Sequence, residues 1–149
     1  MDTVTGQQKP IADTPGKDYD WVSARSACSP TQAFIRLREQ VGEDLNKRAA
    51  LMVEAEKEKY RFKSGSQDWM FWVSVQGDYI DKAVSFHRTT TGIEVRDARN
   101  DAPLMEGKLT LGDDGECKLK VGEKAYSFWQ FRKLALEDVL FTSVAKWSR

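Results

Sequence analysis

From residue 30 into the middle fifties, apolar side chains recur every three or four positions. Phe34, Leu37, Val41, Leu45, Ala49 and Met52 form one stripe, and Arg36, Arg38, Glu39, Glu43, Asp44, Lys47 and Arg48 fall largely off it. That spacing is the period of a helix with one buried face. Its start is marked in the chain. Ser29 is a residue type whose hydroxyl accepts a hydrogen bond from a free N–H of the first turn. Pro30 then falls at the first helical position, where its missing N–H costs nothing. Gln32 stands three residues after the cap, as a capping box requires. The pattern predicts a helix from Pro30 to about Glu56, with Lys57 and Lys59 suited to its negative C-terminal end. Gly42 is its weak point, costing about 1 kcal/mol relative to Ala, and suggests close packing or a slight bend.

The period then changes to two, the signature of half-buried strands. Tyr60 and Phe62 alternate with Lys59, Arg61 and Lys63 before Gly65-Ser66. The run from Trp69 to Val75 ends at Gly77-Asp78. Val84 and Phe86 alternate with Ala83, Ser85 and His87, and Ile93 and Val95 alternate with Glu94 and Arg96. Asn100-Asp101 with Pro103 marks a turn. Met105, Leu109 and Leu111 lead to Gly112-Asp113-Asp114-Gly115, a strong hairpin signal. Cys117, Leu119 and Val121 follow, then Gly122-Glu123, then a last strand from Tyr126 to Phe131. Short connections imply antiparallel neighbours, because a parallel pair needs a long crossover. The expected architecture is α+β: a long N-terminal amphipathic helix packed on a curved antiparallel β-meander of about six to seven strands. Leu136, Val139, Leu140, Val144 and Trp147 fit one helical face, so a short C-terminal helix is expected over Leu134–Trp147, although Val139–Val144 also has strand character.

Two strands break the alternation. Met70 and Trp72 oppose Trp69, Phe71 and Val73, and Tyr126 and Phe128 oppose Trp129 and Phe131. A strand that is apolar on both faces needs a cover on each side. The long helix supplies one cover. The second side is core, pocket or interface, so Trp69, Trp72, Tyr126, Phe128 and Trp129 are the candidate residues for binding a ligand or a partner.

Residues 1–20 are polar, carry Gly6, Pro10, Pro15 and Gly16, and read as a flexible arm before a single domain at 21–149. Tyr19 and Trp21 would mark where the arm docks. The terminus has neither a basic region nor an apolar core of a signal peptide, and nowhere do eighteen apolar residues run together. The cytoplasm is therefore the default expectation, with no membrane insertion.

Charge narrows the partners. Lys plus Arg equals Asp plus Glu at 23 each in 149 residues, a net charge of zero. Nucleic-acid binding usually draws on a basic excess, so nucleic acid is not the expected partner. A polyanion face built from Lys59, Arg61, Lys63, Lys118 and Lys120 is the minor alternative to an ordinary solvated sheet face. Cys28 and Cys117 are the only cysteines and lie far apart, so both are expected as free thiols, with a long-range bridge the lesser reading. His87 is the single histidine, there is no Cys-x-x-Cys, and the phosphate-binding and nucleophile-elbow motifs are missing. No metal or cofactor is expected. His87, on the strand face shared with Ala83 and Ser85, would have to be the base of any Ser-His pair.

The expected function is a non-enzymatic protein-binding or adaptor domain acting through its aromatic sheet surface, with another protein or a second copy as partner. One alternative is a small-molecule binder whose apolar cavity between helix and sheet is lined by Trp69, Trp72, Phe128 and Trp129. Another is a small enzyme using His87 or the loop carboxylates.

Overall fold

The structure, a computed structural model, describes residues 18–77 and 79–141. A short helix that the apolar pattern does not announce, α1 (Trp21–Ala27), comes first. Asp20 caps it by accepting a hydrogen bond from the Ser23 N–H. The expected helix follows as α2 (Pro30–Ala50), with Ser29 extended and its hydroxyl accepting from the Gln32 N–H at 3.2 Å. Ala33, Phe34, Leu37, Val41 and Leu45 are buried along it. A Cβ placed on Gly42 would meet nothing within 4 Å, so that glycine serves no close packing.

This helix ends before Glu56. The Leu51 N–H is shared between the Lys47 and Arg48 carbonyls, a tight last turn. Val53 is then extended, and its N–H donates to the Glu56 carboxylate at 3.1 Å. That bond starts a separate helix, α3 (Glu54–Lys59). The break is anchored by Arg48, which the charge pattern assigns to the solvent side and which is in fact only 6% exposed. Its Nε donates to the Leu140 carbonyl at 2.7 Å. Its Nη2 donates to Glu56 at 3.0 Å and to the Tyr60 hydroxyl at 3.1 Å.

Seven strands follow in sequential antiparallel order: β1 (Tyr60–Ser66), β2 (Met70–Gly77), β3 (Asp81–Arg88), β4 (Gly92–Asp97), β5 (Ala102–Leu111), β6 (Cys117–Val121) and β7 (Lys124–Tyr126). The register puts Phe62, Val75 and Val73 with Ser64 on one face, and Phe71 beside Phe86 and Val95 on the same face. Phe71 and Phe86 stack at 4.6 Å, and Phe34 of α2 closes on Phe71 at 5.5 Å. The core therefore lies between α2 and one face of the meander.

The last expected strand is corrected. Only Lys124–Tyr126 pairs, and Phe128 opens a helix, α4 (Phe128–Leu140). Ser127 and Gln130 cap it reciprocally, the Ser127 N–H donating to the Gln130 side chain and the Gln130 N–H to the Ser127 hydroxyl. Phe128 and Phe131 thus share the buried helical face rather than opposing each other, and Leu136, Val139 and Leu140 continue it. Phe131 seats against Gly107 of β5, where a Cβ would come within 2.7 Å of its ring. The helix expected from Leu134 is the second half of α4. Val144 and Trp147 lie outside the described residues, as does the arm up to residue 17.

The two cysteines are not free. Cys28, at the elbow between α1 and α2, and Cys117, at the start of β6, form a disulfide across 89 residues. Packing of the elbow against the β5–β6 hairpin brings them together, which their spacing could not reveal. Tyr19 adds a second tie, its hydroxyl donating to the Gly115 carbonyl at 2.6 Å, whereas Trp21 stays exposed. Closing so long a loop restricts the unfolded chain, and the chain-entropy account gives about 2–4 kcal/mol for a typical bridge. A Cys28→Ser/Cys117→Ser chain is expected to unfold at correspondingly lower denaturant. Reductant should bring the wild type down to the same midpoint and leave the double variant unmoved.

Candidate functional site

Strand register builds an outer sheet face, turned away from the helices, from residues of alternating parity. Across the first four strands it carries Arg61, Lys63 and Gly65, then Met70, Trp72 and Ser74, then Ala83, Ser85 and His87, then Glu94 and Arg96. Trp72 lies over the backbone of its neighbour. A Cβ on Gly65 would come within 2.7 Å of the indole, so only glycine leaves room for the ring. Trp69 stands just before β2, is 52% exposed, and rests its ring against His87 with the centroids 5.7 Å apart.

Beneath these aromatics runs a polar row. The Ser85 hydroxyl and His87 Nε2 are 2.9 Å apart. Burial, with the positive charge of Arg96 adding to it, holds the His87 pKa below its ordinary value, although Asp101 and Glu94 pull the other way. A neutral ring can accept the serine proton. The pair is nevertheless not built for nucleophilic attack. Ser85 is flanked across the ladder by Trp72 and Arg96 and is 1% exposed, so no substrate carbonyl can reach its oxygen. Arg96 is itself committed, its guanidinium reaching Glu94 at 2.9 Å and Asp101 at 3.1 Å. The row holds His87 in place under Trp69 and leaves one group unmatched. Ser74 Oγ, beside Ala83 and Lys63, is buried with no hydrogen-bond partner among the described residues.

The other three candidates lie elsewhere. Phe128 is buried, with the Arg36 guanidinium 4.4 Å above its ring, and belongs to the core. Trp129 is 58% exposed beside a cleft of about 310 Å³ between α2 and α4, whose floor is tied by Arg132 to Asp44 at 2.7 Å and to Gln40 at 2.9 Å. Tyr126 is half-buried under the Lys124 ammonium. β2 and β7 are five strand steps apart, about 24 Å along the sheet at 4.8 Å per step. Trp69 and Trp72 therefore lie around the start of the same strand, Trp69 against His87 and Trp72 across from Ser85, while Tyr126, Phe128 and Trp129 are separated from them. The basic residues divide in the same way. Arg61 and Lys63 sit on β1, and Lys118 and Lys120 sit on β6, with Lys118 bound to Asp114.

One cleft escaped the sequence because it depends on the disulfide. Its volume is about 390 Å³, and Cys28, Cys117, Ile35, Arg36, Glu39 and Leu111 are among its walls. Among the described residues, no group of three or more His, Cys, Asp or Glu is placed to hold a metal ion, and no helix is long and apolar enough to cross a membrane. Comparison of the chain with protein-family models, with curated proteins and with solved structures finds no match.

A buried hydroxyl without a partner loses its bond to water and gains nothing in return. Ser74→Ala is expected to leave stability unchanged or raise it by up to about 1 kcal/mol. Thermal unfolding of the variant checks this, and a clear loss of stability would show that Ser74 Oγ has a partner.

Proposed function

We propose that this chain is a non-enzymatic protein-binding domain, and that it meets its partner at the Trp69 end of the outer sheet face. The observation that carries the reading is Trp69 itself: a large aromatic about half exposed to solvent, its ring resting against His87. Tryptophan supplies wide contact area at small entropic cost and dominates many protein interfaces. The burial of Ser85 weighs against the enzyme reading of the same face. The disulfide favours an oxidising compartment over the cytoplasm, where thiols are kept reduced. An apolar ligand in the cleft above the disulfide is the second reading, since its volume of about 390 Å³ lies within the range of small-molecule sites.

Site-specific photo-crosslinking tests the proposal. A benzoylphenylalanine at position 69, in cells of the source organism, is expected to trap one protein that the same group at the exposed Tyr79 does not trap. Trp69→Ala should weaken binding of that protein at least tenfold without changing the fold. Identical adducts from both positions, or unchanged binding by Trp69→Ala, would refute it.

A further inference from the structure

We infer that the open edge of β1 takes up an extended acidic segment of the partner protein as an eighth strand. This rests on the protein-binding reading above and adds the mode of binding and the chemistry of the segment.

The first support is the backbone. β1 is the terminal strand of the sheet, and among the described residues nothing pairs with its outer side over Arg61–Ser66. A strand in that position presents a row of unused N–H and C=O groups, the template for strand addition. The opposite edge, β7, is only 3 residues long and offers little to pair with.

The second is shape. Ser64, Gly65 and Ser66 are small, and they leave a groove of about 140 Å³ between β1 and α2, floored by Val41, Leu45, Phe71 and Val73. Ser64 and Ser66 share the core-side parity of Val73 and Phe71, so alternate side chains of an added strand would drop into that groove. Those inward residues are apolar.

Charge supplies the third. Arg61 and Lys63 occupy the outer face of β1, and Arg38 stands at the groove. None of the three has an ion-pair partner among the described residues, in a chain of zero net charge. Residues of the added strand that point outward would lie beside Arg61 and Lys63 and are therefore carboxylates. The same charges oppose pairing of β1 with its own copy, which would bring like charges together. They select a partner rather than close the edge. The Trp72 indole over Gly65 gives the outward side an apolar shelf next to this edge.

The test uses the full chain and a fluorescent peptide of alternating Glu and Val, seven residues long. Binding is expected to slow amide exchange within Arg61–Ser66, read by NMR. N-methylation of alternate peptide nitrogens should abolish binding. The exposed pair Arg61→Glu/Lys63→Glu should weaken it at least tenfold and turn the preference toward a Lys-Val peptide. Binding that leaves β1 amides unprotected, or that survives N-methylation, overturns strand addition. Equally tight and competing binding of oligothymidine overturns it in favour of a general polyanion site. If the protein trapped at position 69 still binds the charge-reversed chain undiminished, strand addition fails while the protein-binding reading stands. If nothing specific is trapped there, the protein-binding reading itself fails.

Discussion

Arg48 stands almost wholly out of solvent, where a lone guanidinium would cost several kcal/mol. Each of its partners comes from a different part of the chain: Glu56 in α3, the hydroxyl of Tyr60 at the start of β1, and the Leu140 carbonyl at the end of α4. Phe62 and Phe141 flank the same group at 5.8 and 4.7 Å. Satisfying this one charge fixes where α2 stops, how the chain turns into the sheet and where the last helix ends.

Much of this was legible because it is written in local patterns. Ser29-Pro30 marks the start of α2, the apolar period names its buried face, and alternation with turn residues every few positions counts the strands. What was not legible depends on contacts between distant residues. Arg48 looks like one more surface charge until Glu56 and Tyr60 are seen around it. Cys28 and Cys117 look independent until the elbow packs on the hairpin. The start of α4 is a different kind of miss. Ser127-x-x-Gln130 is a capping box in plain sight, masked by aromatics that suit a strand as well as they suit a buried helix.

The candidate site divided along the same line. Alternation put Trp72 on the face opposite Phe71 and Val73 and His87 with Ser85, and the structure keeps both, whereas Trp69, grouped by alternation with Phe71, rests against His87 instead. Treating Tyr126–Phe131 as a strand gave Phe128 and Trp129 a sheet face they do not have, so the one aromatic surface expected becomes two separate places. The groove beside β1 was visible only as three small residues, Ser64, Gly65 and Ser66. Its depth comes from α2, which reaches it from far along the chain.

The dependence on Arg48 can be measured through Glu56. The hydrogen bond from Arg48 holds the Glu56 carboxyl below its ordinary value of 4.5, against a smaller opposing effect of burial. A carboxylate whose pKa is lowered on folding stabilises the fold above the unfolded value, and that contribution disappears as pH falls through the folded one. Denaturant unfolding of wild type and Glu56→Gln from pH 7 to pH 2.5 therefore gives the decisive comparison. The account predicts a gap of about 1–3 kcal/mol at neutral pH that closes steadily in acid. A variant as stable as wild type at pH 7, or a gap of the same size at both ends, would contradict it.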